Sequence, residues 1–400
     1  MDLTAGYPFW LIKDGLMHHY PKLTKNEHTH VAIIGGGISG ALAAWHLSEA
    51  GIECILVDGR SVGLGSTCAS TSLLQYELDT PLHILSEKIG KEKATRTYQL
   101  CAEAIKKIKV IAQETGYREY ESNASLFYSV HKREKSFIAR EFKARKEAGF
   151  GIELLSDTEM QQAFGLHAKY GLLSQTGATI NTYSFTHHLL SEAELKGLRV
   201  YDRSKIVSLE DSNNGVTLTT EEGFTITASY VVNATGYEVV NFIDKDIVNF
   251  DCTYAIVSEH QEEKQQLWRD RIMMWSSDDP YLYMRLTTDN RILAGGRDEP
   301  YSTKVTRELY LDKKANYLRD DVRKVLPSID FKTEFRWSGT FGKTKDSLPY
   351  IGAWHKMPRV FYALGFGGNG ITFSVVAAEI ITDLIKGKDN PDAQLFSFNR

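Results

Sequence analysis

Three glycines and one acid carry the first chemical suggestion in this sequence. Gly35, Gly37 and Gly40 stand in the spacing G-x-G-x-x-G, and Asp58 follows the next apolar run. Such a set suits the holding of a dinucleotide. Gly35 permits a tight turn, Gly37 lets backbone approach a pyrophosphate, and Gly40 lets a helix lie close to a strand. The N-terminus of that helix offers free N–H groups to phosphate oxygens. Asp58 can accept from ribose hydroxyls.

The elements that must position these residues are legible around them. Val31–Ile34 reads as a buried strand and Ala41–Ala50 as a helix, with Gly40, Ala43, Ala44 and Leu47 on one small-residue face. Gly51 ends the helix, and Glu53–Val57 forms the second strand. Strand, helix, strand and acid thus come in the order a dinucleotide site requires. Residues 61–80 follow as a loop dense in small hydroxyl side chains, able to track a cofactor. Far downstream, YVVNATG (Tyr230–Gly236) predicts a buried strand entering a small-residue turn. Arg359–Leu364 predicts another strand, GFGGNG (Gly365–Gly370) a loop, and Ile371–Lys386 a helix ended by Gly387. Glycine-rich turns at both ends imply a cofactor domain built from separate segments, with a β-rich domain inserted. Between them, a helix or helix pair is expected over 81–115. Helices are also expected at 134–148, 184–195 and 310–325. Strands are expected at 125–130, 205–210, 216–220, 223–228, 252–257, 281–286 and 291–294.

Composition narrows the classes. The chain has 400 residues, 42% of them hydrophobic, and a net charge of -4, which gives no reason to expect nucleic acid or a membrane as partner. Cys54, Cys68, Cys101 and Cys252 are scattered without a C-x-x-C, and no H-E-x-x-H is present. No metal site or disulfide framework is expected, and a reducing, cytoplasmic setting fits. The aromatic first thirty residues should pack on the body of the protein.

The first glycine motif, the hydroxyl-rich loop, the ATG turn and the GFGGNG helix together resemble the FAD-dependent D-amino-acid oxidase superfamily. The pattern is nearest to glycine oxidase, sarcosine oxidase and dimethylglycine dehydrogenase, from Val31 to the closing LFSFNR. The resemblance implies an α/β two-domain fold. Its parts would be a glutathione-reductase-type Rossmann domain for FAD, assembled from discontinuous segments, and an inserted antiparallel-sheet substrate domain. The division expected is an N-terminal extension at 1–30, FAD-domain segments at 31–118, 181–242 and 337–400, and substrate-domain segments at 119–180 and 243–336. By similarity, Gly35, Gly37, Ile38 and Ser39 line the pyrophosphate and Asp58 holds the adenosine ribose, with Gly59 and Arg60 also binding the cofactor. Ser66, Thr67, Ser70, Thr71, Ser72 and Leu73 would run beside the ribityl chain and ring. Ile206 would meet the adenine, Gly236 would close the second turn, and Gly368, Asn369, Gly370, Ile371 and Thr372 would lie along the pyrimidine edge. Ala69 and Gly339 stand where relatives carry a histidine or cysteine bonded to the flavin, so the FAD is expected to be non-covalent.

The activity implied is removal of hydride from the carbon beside an amine nitrogen, with oxygen or another acceptor taking the electrons. Carboxylate anchors of the amino-acid oxidases appear replaced, with Phe341, Gln75 and Thr372 standing at their places. Arg285, in YLYMR, could bind a carboxylate bidentately or serve as a structural ion-pair partner. Tyr281 and Tyr283 share its face and could wall an amine or fill the core. Arg285, Tyr283 and Gln75 are the expected substrate-side residues. Glu77 and Asp79 could favour a cationic substrate or begin a helix. Two other classes stay open: an NAD-dependent dehydrogenase, and a flavin-binding protein without turnover.

Overall fold

The structure, a computed structural model, describes residues 2–241, 247–262 and 267–400. The first unit is a sheet whose parallel centre runs Arg199–Tyr201, Cys54–Val57, Glu27–Ile34 and Thr225–Asn233, with Met357–Leu364 alongside the last. Register places Ile33 opposite Leu56 and Ala32 opposite Val231. Residues alternate between two buried faces: Val31 and Ile33 face one apolar cluster, Ala32 and Ile34 another.

Helices Ile38–Glu49, Thr182–Glu194 and Gly370–Ile385 join the first of these clusters. A Cβ at Gly40 would stand 1.8 Å from the Gly35 carbonyl oxygen, so only glycine allows this helix to start where it does. Ser39 Oγ meets Ser374 Oγ at 2.7 Å and ties the two glycine-led helices together. The stretch Gly367–Ile385 is apolar and long enough to cross a bilayer, but in this fold the helix is a buried core element.

The second unit is a nine-stranded sheet. Its order is Thr4–Gly6, Thr333–Lys343, Asn249–Ser258, Ile292–Pro300, Tyr283–Leu286, Met273–Ser276, Ser125–Ser129, Tyr170–Ser174 and Ile152–Ser156. Neighbours are antiparallel except Met273–Ser276 beside Ser125–Ser129. Along Asn249–Ser258 the period of two divides the faces. Tyr254 and Ile256 pack under the helix Lys304–Val325, while Thr253 and Ala255 line a cavity between the units. A separate three-stranded sheet of Leu73–Leu74, Ala178–Ile180 and Tyr120–Ser122 takes up residues 73–74 of the hydroxyl-rich loop.

Several expected boundaries move. The first nucleotide strand begins at Glu27, because residues 27–29 pair with Ile226–Ala228. The expected strand 223–228 and the YVVN strand are one continuous strand, Thr225–Asn233. Thr333–Lys343 belongs wholly to the nine-stranded sheet, so that domain runs past the expected limit at 336. The 81–115 region is a helix pair broken at Gly90, whose φ is 89°. The expected limit at 242/243 lies outside the described residues.

The N-terminal segment does more than cover the body. Thr4–Gly6 extends the substrate-side sheet, and the chain then enters the nucleotide sheet at Glu27. Gly40→Ala should destabilise the fold by ~3 kcal/mol or more, since both clashing groups are backbone. Chemical denaturation of the variant beside wild type checks this, and an unchanged midpoint would refute the packing argument.

Candidate functional site

A cavity of about 820 Å³ lies between the two sheets. Its nucleotide side is made of glycine and helix ends. A Cβ at Gly35 would meet the Ala234 carbonyl oxygen at 2.4 Å, and one at Gly37 would meet Thr67 Oγ1 at 2.9 Å. Thr67 Oγ1 accepts from Ile38 N at 3.0 Å. The helices beginning at Ile38 and Gly370 have no side-chain N-cap, and both starts line the cavity. Two sets of amide donors therefore face one space.

Asp58 accepts from Gly36 N at 2.5 Å and Arg60 N at 2.7 Å. Burial pushes its carboxyl above the ordinary range, opposed by those two amides. Arg60 pairs with Glu238 through Nη1 and Nη2 at 3.0 and 2.7 Å. Gly59, Ile206 and Gly236 line the same end.

The hydroxyl-rich loop is held from behind. Trp337 Nε1 donates to the Ala69 carbonyl at 2.9 Å, and Trp10 Nε1 to the Ser70 carbonyl at 2.7 Å. Arg285 Nη1 donates to the Ser72 and Ile180 carbonyls at 2.7 and 2.9 Å. In a trans peptide the N–H points opposite its carbonyl. Holding the Ser70 and Ser72 carbonyls in this way leaves the Thr71 and Leu73 amides on the opposite side of the backbone, while Ser70 N donates to the Thr67 carbonyl at 3.3 Å. Ser72 itself adopts φ 59°. Ser66, Thr67, Ser70, Thr71, Ser72 and Leu73 all line the cavity.

Arg285 accordingly differs from the substrate anchor considered from sequence. It is buried, lies outside the cavity lining, and stacks on the Trp10 ring at 5.5 Å. Burial lowers its pKa to about 10, so it stays charged near neutrality while bonded to carbonyls. Period two assigned its face correctly, but the cavity ends at Tyr283. Thr372 also stands one step back: its hydroxyl donates to the Asn369 carbonyl at 3.0 Å, and it is not a lining residue. Gly368, Asn369, Gly370 and Ile371 line the cavity. Asn369 Nδ2 donates to the Gln75 and Glu77 carbonyls at 3.1 and 2.9 Å, locking the loop to the 75–79 segment.

The sheet side brings together residues the motifs did not reach. Trp275, Tyr281, Tyr283, Trp337 and Phe341 line it with Gln75, Glu77, Asp79 and Asp298. Tyr283 lies against Gly295, where a Cβ would come within 2.3 Å of its Oη. Gln75 Nε2 donates to Ser125 Oγ at 3.3 Å. Asp298 sits on a strand whose glycines, Gly295 and Gly296 (φ 144°), break the apolar alternation. The signal that could have found it was the continuation of that strand beyond Ala294. Burial raises its carboxyl pKa to about 6. Cys68 is buried with its Sγ against the Gly65 carbonyl at 3.3 Å, and burial raises its thiol to about 12.

A discontinuous Rossmann-type sheet, a second antiparallel sheet and a shared cavity define a two-domain nucleotide-dependent enzyme. The sequence matches the family described as "FAD dependent oxidoreductase" (DAO) over residues 30–384, and the chain belongs to that family. It is an FAD-dependent oxidoreductase. It is 22% identical to the probable oxidoreductase OrdL of Haemophilus influenzae, over 92% of this chain and 86% of the relative. It is 24% identical to the gamma-glutamylputrescine oxidoreductase of Escherichia coli, over 94% and 87%. The fold is similar to glycine oxidase from Geobacillus kaustophilus, with a TM-score of 0.79 at 18% identity, covering 94% and 99% of the two chains. The glycine cradle, the two uncapped helix starts and Asp58 fit FAD.

Two outcomes are expected here. Trp10→Phe and Trp337→Phe each remove one N–H while keeping an aromatic ring in place. Each should weaken FAD binding about threefold to tenfold, the worth of one hydrogen bond. Arg285→Met should weaken it more than either. Titration of the FAD-free variants, followed by flavin fluorescence, checks this, and unchanged affinities would reject the tethering role. Second, the raised Asp298 pKa means the folded state holds that proton more tightly. Its unfavourable contribution should grow as pH rises from about 4 to about 6 and stay constant above. Asp298→Asn should therefore be more stable than wild type by roughly 1–3 kcal/mol at pH 8, with no difference near pH 3. Urea unfolding across pH tests the sign.

Proposed function

We propose that this enzyme oxidises the C–N bond of a small amine or amino acid. The observation that carries the reading is the continuity of one cavity. Its glycine and helix-start side suits FAD, and its other wall is aromatic and acidic. FAD, when bound, supplies the acceptor for a hydride from the carbon beside nitrogen. The chain's residues supply orientation and dryness. Trp275, Tyr281 and Tyr283 offer flat apolar surfaces that hold a C–H bond in one direction. Trp337 and Phe341 reduce the room for water. The amine must enter neutral, so no side chain is required to remove its proton in the hydride step. The imine product is hydrolysed by water, and the electrons pass to oxygen or another acceptor.

Ala69 and Gly339 support non-covalent FAD. A Cβ at Gly339 would lie 3.6 Å from Ala69 Cβ, so the two positions face each other without a nucleophile between them. All four cysteines are free and buried, which supports a reducing, cytoplasmic setting.

The test is anaerobic mixing of the yellow protein with amino acids, N-methyl amines and diamines. Bleaching of the visible bands by an amine, with colour restored by air or an artificial acceptor, is the expected result. Acid precipitation should leave the colour in solution. Bands that no amine bleaches would overturn the reading, and colour in the pellet would overturn non-covalent binding.

A further inference from the structure

The substrate side of the cavity has a charge to settle. Glu77 contributes to the cavity lining, but its side chain is wholly buried, with Oε2 lacking any hydrogen-bond partner. Its other oxygen meets Arg145 Nη1 at 3.3 Å, but Arg145 is shared with Glu141, which it meets at 2.6 Å through Nε. Asp298 also lines the cavity, and its buried Oδ1 has no partner. Asp79 stands at the mouth, accepting from Tyr281 Oη at 3.1 Å and Gly368 N at 3.0 Å. Lys343 is the nearby cation, and it is committed to Asp251 at 2.8 Å. Among the described lining residues the cations are Arg60 and Lys205, both at the nucleotide end. The substrate end thus holds the carboxylates of Asp298 and Asp79 beside five aromatic rings, with the buried Glu77 behind them and no lining arginine or lysine.

This arrangement rejects a carboxylate and calls for positive charge. Like charges crowded in a low-dielectric site are costly, and an ammonium both pairs with carboxylates and lies well against aromatic faces. The reacting nitrogen cannot supply that charge. An amine held protonated by a carboxylate has no lone pair to assist loss of hydride. The charge must sit elsewhere on the substrate.

We propose that the substrate is a diamine, whose second, non-reacting ammonium is held by Asp298 against Trp275, Tyr281 and Tyr283. The proposal rests on the amine-oxidation reading above. The neutral nitrogen lies at the flavin side and the cationic one at the acidic end, with the methylene chain along the rings between.

The test uses the FAD-loaded protein without oxygen. Three probes of similar length are compared: butane-1,4-diamine, n-butylamine and 4-aminobutanoate. Binding is read from perturbation of the flavin bands or quenching of tryptophan emission. The diamine should bind at least about tenfold tighter than the monoamine, the equivalent of one good charged contact, with the carboxylate probe weakest. Asp298→Asn should reduce the diamine preference to about threefold or less. A monoamine or 4-aminobutanoate binding as tightly as the diamine in wild type would overturn the proposal, and that comparison does not depend on any variant folding. A preference that survives Asp298→Asn would overturn the assignment to Asp298. Bleaching by the monoamine with no diamine preference defeats this inference and leaves amine oxidation standing. Tight, Asp298-dependent diamine binding without bleaching by any amine does the reverse.

Discussion

The loop from Ala69 to Leu73 depends on three side chains packed against it, of which Trp337 also lines the cavity. Trp337, Trp10 and Arg285 each draw one of its carbonyls outward. Backbone left to itself in such a turn would offer oxygens and amides to the cavity in no fixed order. Anchoring the Ser70 and Ser72 oxygens fixes the Thr71 and Leu73 amides on the other side of the backbone. The cost is a buried guanidinium without a carboxylate. Three carbonyls and the Trp10 ring offset that cost, and the guanidinium remains charged with a pKa of about 10. The tethers come from three distant parts of the chain, which explains the course of the N-terminal segment. Its strand Thr4–Gly6 anchors it to the substrate-side sheet and its Tyr20–Leu23 stretch to the nucleotide domain, so that Trp10 is held between them.

What could be read from sequence follows from how locally each feature is determined. The glycine motif is set by contacts within one turn: Gly40 against Gly35, Gly37 against Thr67. Spacing reports such contacts well. The face of Tyr281, Tyr283 and Arg285 was also legible, since alternation along a strand is geometric. Depth was not, because the cavity's end depends on Ser72 and Ile180, far off in the chain. Trp10 and Trp337 gave no signal at all. Their partners lie 60 and 268 residues away, and an indole that caps a carbonyl looks in sequence like any core aromatic. Asp298 was hidden by Gly295 and Gly296, which interrupt the pattern of a strand that in fact continues. Gly295 makes room for the Tyr283 ring, and Gly296 for the Tyr281 carbonyl.

The cavity is polarised end to end. Arg60 and Lys205 stand at the Asp58 end, two helix starts face the middle, and carboxylates close the far end. A dinucleotide with a pyrophosphate suits the first two regions and would be repelled by the third. This division bears on the NAD alternative, because the donor-rich start of the Gly370–Ile385 helix faces the cavity at the boundary between the amide and carboxylate regions. A fixed positive dipole there favours a group that gains negative charge on reduction, as the flavin pyrimidine edge does. A nicotinamide loses positive charge on reduction and gains nothing from that dipole.

The buried ion network beneath the substrate end constrains what its acids can do. Glu141 accepts from Leu82 N, His83 N and Arg145, and its carboxyl is held down to about 2. It therefore claims most of the Arg145 charge. Glu77 is left with the weaker contact, and burial pushes its carboxyl upward. A buried acid in that state has two ways to reach low energy: bind a proton, or meet a cation from outside the chain. Replacing Glu77 by an apolar residue would have been the simpler solution for stability alone. With its side chain wholly buried, the second course is open to Glu77 only through the field of a cation bound in front of it at Asp298.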